Sequence, residues 1–505
     1  MARDGKVENG AHAGGHPHLL LNTIAQSPGT LSPSAAMLSR TRAAWDSLFA
    51  PSGHSPAVGL RAIAMLWVIW FHGTRTSLMM LGKTFGGEPF KVSPYAPPSI
   101  GDVLAMVYWP LGPATAGDTG VDLFLVLSGF LLGGMLSSEL ERSDGRIDAV
   151  RFYCRRWFRI LPAYASAMVV DVMIFEEERK SYSCPSLWWS NLLFMNNIWP
   201  LQGFVFAPHC MVHTWSIAVE FQMYLLTPPL LLLSHAIAAG RFRFLQLPWA
   251  PSYFLVLGLG FLACVYRRTM NIDYEHGSAQ PYNGTSARIA PYLAGVAAAI
   301  AVKQHSKAPY SFPGPWARAC LRLISWLVLI PAAYFGAEPM YFQQDTLAGW
   351  AYPHAFPTLH YCHIVLGRPL VGLATAFLLA DCLTGHAHCL SAFLSAPCWR
   401  PLAALSYSMY LLQYVGAAVF DPLFQAYILP RIDLADGLRL VYVGAGIAHL
   451  KAVIVIIATM PLALCNYLII EHPLHMYGRD AASQLSEWCG RRKSSCCGGR
   501  DEPLM

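Results

Sequence analysis

The stretch Gly59-Leu60-Arg61-Ala62-Ile63-Ala64-Met65-Leu66-Trp67-Val68-Ile69-Trp70-Phe71-His72 decides how the chain is read. Its middle is apolar, and a titratable side chain stands near each end. Arg61 and His72 are eleven residues apart. At about 1.5 Å of helical rise per residue that is roughly 16 Å, about half a bilayer core. It is also close to about three turns, so both side chains lie on nearly one face. A histidine at hydrocarbon depth is costly unless it faces the protein interior or a wet cavity. His72 is therefore either a functional group or a satisfied packing histidine, and the segment alone leaves both open.

The rest of the chain extends the same pattern. Of 505 residues, 55% are hydrophobic and only 13% charged, against about 25% charged in soluble domains. The apolar excess falls in long blocks, where a membrane β-barrel would show short alternating segments. The expected fold is an all-α polytopic membrane protein, a bundle of about ten helices. Blocks long enough to span, or nearly so, lie at 57–73, 118–137, 158–175, 214–234, 251–266, 287–303, 320–337, 361–382, 399–420 and 440–470. The last is overlong and contains Pro461, which predicts a kink or a continuation past the bilayer. Residues 1–56, rich in Gly, Ser, His, Pro and Ala, are expected to form a mostly disordered cytosolic tail. Leu19 to Leu21 is too short for a signal-peptide core. Residues 57–475 are expected to form the membrane domain and 476–505 a second cytosolic tail.

An even number of spans puts both termini on one side. With the N-terminus inside, the inside segments carry 19 Lys and Arg and the outside segments 9, so the positive-inside rule favours cytosolic termini. Asn283-Gly284-Thr285 is a glycosylation sequon in an expected outside loop, which agrees. Cys184 and Cys210 both fall on the oxidising side in this topology, where a disulfide is expected to persist. The net charge of +6 is modest, and no basic patch interleaves with aromatics, so no nucleic-acid partner is expected. The plasma membrane and an endomembrane both fit.

Within the second block, Ser128, Gly129, Gly133 and Gly134 permit close helix approach, and Asp122 lies near its outer end. Phe152–Tyr164 carries Arg155, Arg156 and Arg159; the latter two share a helical face and suit bidentate phosphate binding or simple topological anchoring. In His213–Pro228, Glu220, Gln222 and Tyr224 interrupt an apolar span, and a buried carboxylate there needs a partner, structural or functional. Arg288 opens the sixth block, Arg368 lies in the eighth and Gln413 in the ninth. Arg491-Arg492-Lys493-Ser494-Ser495-Cys496-Cys497 is either a lipid-adhering, palmitoylated segment or a solvated tail. His209 and His213 lack the glutamate of a zinc-binding helix, and no metal is expected.

Taken together, Gly59–His72, Gly120–Leu131, Phe152–Tyr164, Thr214–Pro228, Arg288–Gly295, Arg368–Gln413 and Glu471–Pro473 resemble the acyltransferase-3 family of multi-pass membrane acyltransferases. Cys184, Asn196-Asn197 and Cys210 before Trp215 resemble its eukaryotic nose-resistant-to-fluoxetine-like branch. The resemblance implies a ten-helix bundle and transfer of an acyl group, commonly acetyl, from cytosolic acyl-CoA to an acceptor at or across the membrane. Acceptors are mostly carbohydrate hydroxyls, with macrolides and lipids also known. It implies that Arg61 and His72 form an essential pair, that Arg156 and Arg159, with Arg155 beside them, serve the acyl-CoA end, and that Glu220 is the carboxylate of a Trp-Ser-x-x-Val-Glu motif. Gln413 departs from the family, where histidine is usual; an amide cannot take up a proton near neutral pH.

The residue types fit that chemistry. Transfer to a hydroxyl needs a base, and imidazole titrates near neutrality. No serine or cysteine sits in a nucleophile elbow, so direct transfer is simpler than an acyl-enzyme. Acyl-CoA is then a co-substrate, with no cofactor bound permanently. The alternative is a non-catalytic lipid or small-molecule transporter or scaffold that keeps the same bundle.

Overall fold

Among the described residues of the structure, a computed structural model, ten helices are long and apolar enough to cross a membrane. The structure describes residues 33–50, 55–84, 112–175, 184–199, 210–242, 247–270, 272–273, 278–279, 284–308, 314–336, 357–428 and 437–497. The ten are α2 (Ser55–Thr84), α3 (Thr119–Arg142), α4 (Ala149–Ile174), α6 (Trp215–Ala238), α7 (Trp249–Met270), α8 (Thr285–Lys307), α9 (Pro315–Phe335), α10 (Pro357–Leu383), α12 (Trp399–Leu423) and α13 (Gly437–Asn466), the last continuing into α14 (His472–Cys497). Shorter helices lie between or before them, among them α1 (Pro33–Ser47), α5 (Cys184–Leu192) and α11 (His388–Leu394). Among the described residues the only strands are a two-residue antiparallel pair, Ile272–Asp273 with Ser278–Ala279. The fold is all-α.

Seven of the ten apolar blocks match helices to within a few residues; the first, whose helix α2 runs on to Thr84, the third and the last do not. The third was expected to start at 158 because Arg151, Arg155 and Arg156 precede it. It starts at Ala149, because the Asp148 carboxylate caps it by accepting the Arg151 amide at 3.0 Å. The arginines therefore sit on the first turns of a spanning helix and not in a loop. The last span continues past Pro461, one of the two outcomes expected for it. A π-helical turn, Tyr467–Glu471, joins α13 to α14, and Gly446–Cys489 forms one stretch of 44 residues.

Both expected tails are partly helical. Ala44 in α1 and Leu48 just after it are buried in one cluster with Met65, Ile69 and Met409, and Ser47 Oγ lies 2.8 Å from the Tyr467 hydroxyl. Small residues carry that contact, so hydropathy gives little signal for it. Residues 1–32 lie outside the described chain. Residues 476–497 continue α14, which packs closely on α4. A Cβ on Gly478 would stand 2.1 Å from Phe158 Cβ, and Tyr477 meets Phe158 edge-on at 5.9 Å.

The tightest crossing is α3 on α8, which run parallel. A Cβ on Gly129 would lie 2.0 Å from the Tyr292 carbonyl oxygen, and one on Gly295 2.0 Å from that of Val126. Gly133 meets Val296, whereas Gly134 stands 3.8 Å from Ala299 Cβ and is not needed for the approach. Side chains clamp both ends of this pair. At one end Arg288 Nη1 donates to Asp122 Oδ1 at 2.9 Å. From α10, Arg368 donates to Asp122 Oδ2 at 2.6 Å and to Asp118 Oδ2 at 2.8 Å. All four residues are buried, so the charges neutralise one another where hydration is absent. At the other end Lys303 and Lys307 pair with Glu141 at 3.1 and 2.8 Å.

Arg268, expected at the start of an outside loop, is instead buried in α7. Its guanidinium donates to the carbonyls of Val365 at 3.0 Å and Ala287 at 3.0 Å. Those two carbonyls lie four residues before Pro369 and Pro291, the positions whose missing amides orphan them. Cys184 and Cys210 form a disulfide with Cα atoms 4.5 Å apart. Gln222 holds the segment between them by donating to the Phe194 carbonyl and to Asn197 Oδ1, both at 2.8 Å.

Candidate active site

Two polar groups occupy the bundle interior, and α2 runs through both. The first surrounds His72. On α12, Tyr410, Gln413 and Tyr414 are spaced three and four residues apart and so share the face toward α2. Gln413 is buried; its Oε1 lies 2.9 Å from His72 Nδ1, and its Nε2 donates to the Tyr410 carbonyl at 2.9 Å. His213, in the turn before α6, brings its ring centroid to 6.5 Å from that of His72. Tyr414 lies between them, 5.3 Å from His72 and 4.8 Å from His213. The Tyr410 hydroxyl bonds the His213 carbonyl and lies 2.7 Å from Ser216 Oγ. Thr214, next in the chain, is held by the Tyr164 hydroxyl at 2.5 Å and by Asn191 and Asn196.

The second group surrounds Glu220 and three arginines. The Ser128 and Tyr224 hydroxyls both donate to Glu220 Oε1. Arg61 lies within electrostatic reach of Arg159, Glu220, Tyr224 and Glu471. Arg156 lies within reach of Arg159, Glu220, Tyr224 and Tyr292. The Arg156 guanidinium rests over the Phe152 and Tyr224 rings at 5.8 and 5.9 Å. Its Nη2 meets only the Met135 sulfur, at 3.6 Å, and its buried Nε has no hydrogen-bond partner among the described residues. No ion pair joins Arg61, Arg156 or Arg159 to a carboxylate among the described residues. Glu471, in the π-helical turn, accepts from Ser408 Oγ at 2.6 Å; Ser408 in turn accepts from Asn466 at 2.9 Å.

Arg61, Arg156, Arg159, Glu220, Ser128 and His72 are all half-buried. Contact with lipid tails would be costly for the charged members. Their residual exposure therefore marks a wet, electropositive interior: three guanidiniums against two carboxylates, with an imidazole further along the same helix. Such an interior can hold a phosphate-bearing ligand at one level and deprotonate a hydroxyl at another.

The remaining candidates divide clearly. Arg155 turns away from this interior, with Nη2 3.4 Å from Ser483 Oγ on α14. Asp122, Arg288 and Arg368 belong to the buried ion network, and Gln222 anchors the disulfide-linked segment. Asn283 lies outside the described residues, and the side chains of Cys496 and Cys497 are likewise outside them. Among the described residues no group of three or more His, Cys, Asp and Glu could hold a metal ion. Sequence reading did not single out His213, Tyr410, Tyr414 or Glu471 as site residues, although Glu471 and Tyr410 stand in segments that carry the resemblance; the three-and-four spacing of polar groups on α12 was a further signal.

A family described as an acyltransferase domain matches residues 59–468. The peptidoglycan O-acetyltransferase OatA of Listeria monocytogenes is 29% identical over 241 residues, 43% of this chain and 36% of that protein. The protein of Bacillus subtilis named "Putative peptidoglycan O-acetyltransferase YrhL" is 26% identical over 329 residues, 61% of this chain and 45% of that protein. The chain thus spans less than half the length of these curated relatives. No solved structure matches it significantly.

Proposed function

This chain belongs to the acyltransferase-3 family, and from that premise we propose that it is an integral, multi-pass membrane O-acyltransferase using acyl-CoA. One observation carries the reading: unpaired guanidiniums in the bundle interior, and a histidine roughly 16 Å further along the same helix. Arg156 and Arg159, with Arg61 opposite, hold the CoA phosphates from the cytosolic side. The pantetheine arm runs along α2 toward His72. There the imidazole takes the proton of an acceptor hydroxyl as its oxygen attacks the thioester carbonyl. The C–O bond forms, the C–S bond breaks, and the proton passes to the departing thiolate. Glu220, tethered by Ser128 and Tyr224, orients Arg61 and Arg156.

Acetyl is the proposed acyl group, because the relatives are named O-acetyltransferases. The acceptor is a carbohydrate or lipid hydroxyl at the far side, in keeping with relatives named for peptidoglycan. Both termini are cytosolic on the distribution of Lys and Arg. The pairing of Cys184 with Cys210 supports placement in the eukaryotic nose-resistant-to-fluoxetine-like branch.

The test is acetyl-CoA turnover by purified protein, read as free thiol, with and without carbohydrate acceptors. Loss of a general base costs about 10²–10⁴-fold. His72→Gln keeps the volume and a hydrogen-bonding group but cannot take the proton, so it is expected to be as inactive as His72→Ala while still binding acetyl-CoA. A stable, fully active His72→Gln protein would end the assignment and favour a non-catalytic carrier.

A further inference from the structure

The mechanism above needs an imidazole with a lone pair at a defined nitrogen, and the His72 contacts decide which one. Gln413 is the residue where the family resemblance leads one to expect histidine. Its side chain is buried and makes two bonds: Oε1 to His72 Nδ1 and Nε2 to the Tyr410 carbonyl, both 2.9 Å. The second bond orients the amide. Flipping it would set Oε1 against the Tyr410 carbonyl, two acceptors face to face, and would leave a buried NH₂ turned toward the ring. With Oε1 toward His72, the ring nitrogen there must be the donor.

We propose that Gln413 is a positioning residue that holds His72 in the tautomer protonated at Nδ1, so that Nε2 carries the lone pair that accepts the substrate proton. This rests on the reading of His72 as general base. An amide neither gains nor loses a proton near neutral pH, so no relay runs through residue 413. The proton taken from the hydroxyl onto Nε2 is returned from that same nitrogen to the thiolate, and the Nδ1–H bond to Gln413 persists throughout. A neutral amide, unlike a carboxylate, adds no charge that would favour the imidazolium. The rings of Phe71, Tyr414 and His213 also lie near His72, at 5.1, 5.3 and 6.5 Å between centroids. Trp70, on α2, donates to His449 Nδ1 on α13 at 3.1 Å, and Lys451 of α13 is paired with Asp421 at 2.7 Å.

The test is the nitrogen NMR spectrum of histidine-labelled protein, with His72 identified by its loss in His72→Gln, alongside steady-state kinetics. The wild-type signal is expected to show a protonated Nδ1 and a bare Nε2. Gln413→Leu removes the acceptor. The signal should then shift toward the Nε2-protonated form, and kcat should fall roughly 10- to 100-fold with KM for acetyl-CoA held within about twofold, as when a wrong tautomer is allowed. Gln413→Glu keeps the acceptor and the tautomer but favours the imidazolium, so the acid limb of the kcat profile should move up by about one pH unit. A merely structural glutamine would give neither the tautomer change nor the displaced limb. A wild-type His72 protonated on Nε2 overturns the proposal, and so does Gln413→Leu with unaltered spectrum and kcat. If Gln413→Leu fails to fold, the wild-type spectrum decides alone. Failure of the general-base reading is a different result: an active His72→Gln, whichever nitrogen carries the proton.

Discussion

Arg155, Arg156 and Arg159 were all read as serving the acyl-CoA end, and the structure separates Arg155 from Arg156. The decisive perturbation is Arg156→Ala set against Arg155→Ala. Arg156 presents an Nε without a partner and an Nη2 that meets only a thioether. A phosphate reaching that edge gains charge-assisted bonds where almost none exist now. Each is worth about 1.5–3 kcal/mol, so losing even one weakens CoA binding roughly 10- to 100-fold. The stability effect should differ in kind. Alanine forfeits packing on the Phe152 and Tyr224 rings, about 0.5–1 kcal/mol each. It also removes a half-buried charge that has no ion pair among the described residues, which offsets that loss. Tm should therefore move by no more than a few degrees while Kd rises steeply. Arg155 turns toward Ser483, so Arg155→Ala should leave Kd within about twofold, an exposed contact being worth about 1 kcal/mol or less. Arg156→Lys should rescue poorly, because a point charge cannot reproduce the guanidinium fork. Calorimetric titration of CoA into each variant in nanodiscs, with a parallel melt, measures both quantities. Equal effects at Arg155 and Arg156, or an unchanged Kd for Arg156→Ala, would refute the reasoning.

The remaining predictions concern the scaffold and its orientation. Asp122→Ala removes the carboxylate that Arg288 and Arg368 share, leaving Arg368 with Asp118, and should cost about 3–5 kcal/mol, read as a large fall in Tm; a wild-type melt would refute the ion network as a stabilising clamp. Gly129→Ala places a methyl 2.0 Å from the Tyr292 carbonyl oxygen and should cost about 1–3 kcal/mol or more by forcing α3 from α8. Gly134→Ala, whose methyl would meet Ala299 Cβ at an ordinary contact distance of 3.8 Å, should be neutral in the same melt. Tags at either terminus should be reached only after permeabilisation, and Asn283 should carry glycan if its loop is lumenal. A terminus accessible on intact membranes would move the arginine group to the wrong side for cytosolic CoA.

The number and approximate limits of the helices were legible in the sequence, because spanning depends on local hydropathy and on backbone bonds that close within four residues. The separation of Arg61 from His72 was legible for the same reason: both lie on one helix, whose rise is constant. Helix ends set by a cap were less legible, and Asp148 moved the arginines from loop to span. Segments packed through small residues, such as Ala44 on α1 and Gly478 on α14, carried too little hydropathy to be noticed. Partnership was not legible at all. Asp122 collects Arg288 and Arg368 from 166 and 246 residues away, and His72 meets Gln413 across 341. Whether an intramembrane charge is a structural clamp or an open binding group depends on the rotation of each helix about its axis and on what faces it across the crossing. Only the packed bundle determines those, so Arg288 and Arg156, alike as sequence candidates, part company in three dimensions: one neutralised by a buried carboxylate, the other left with its charge unmatched.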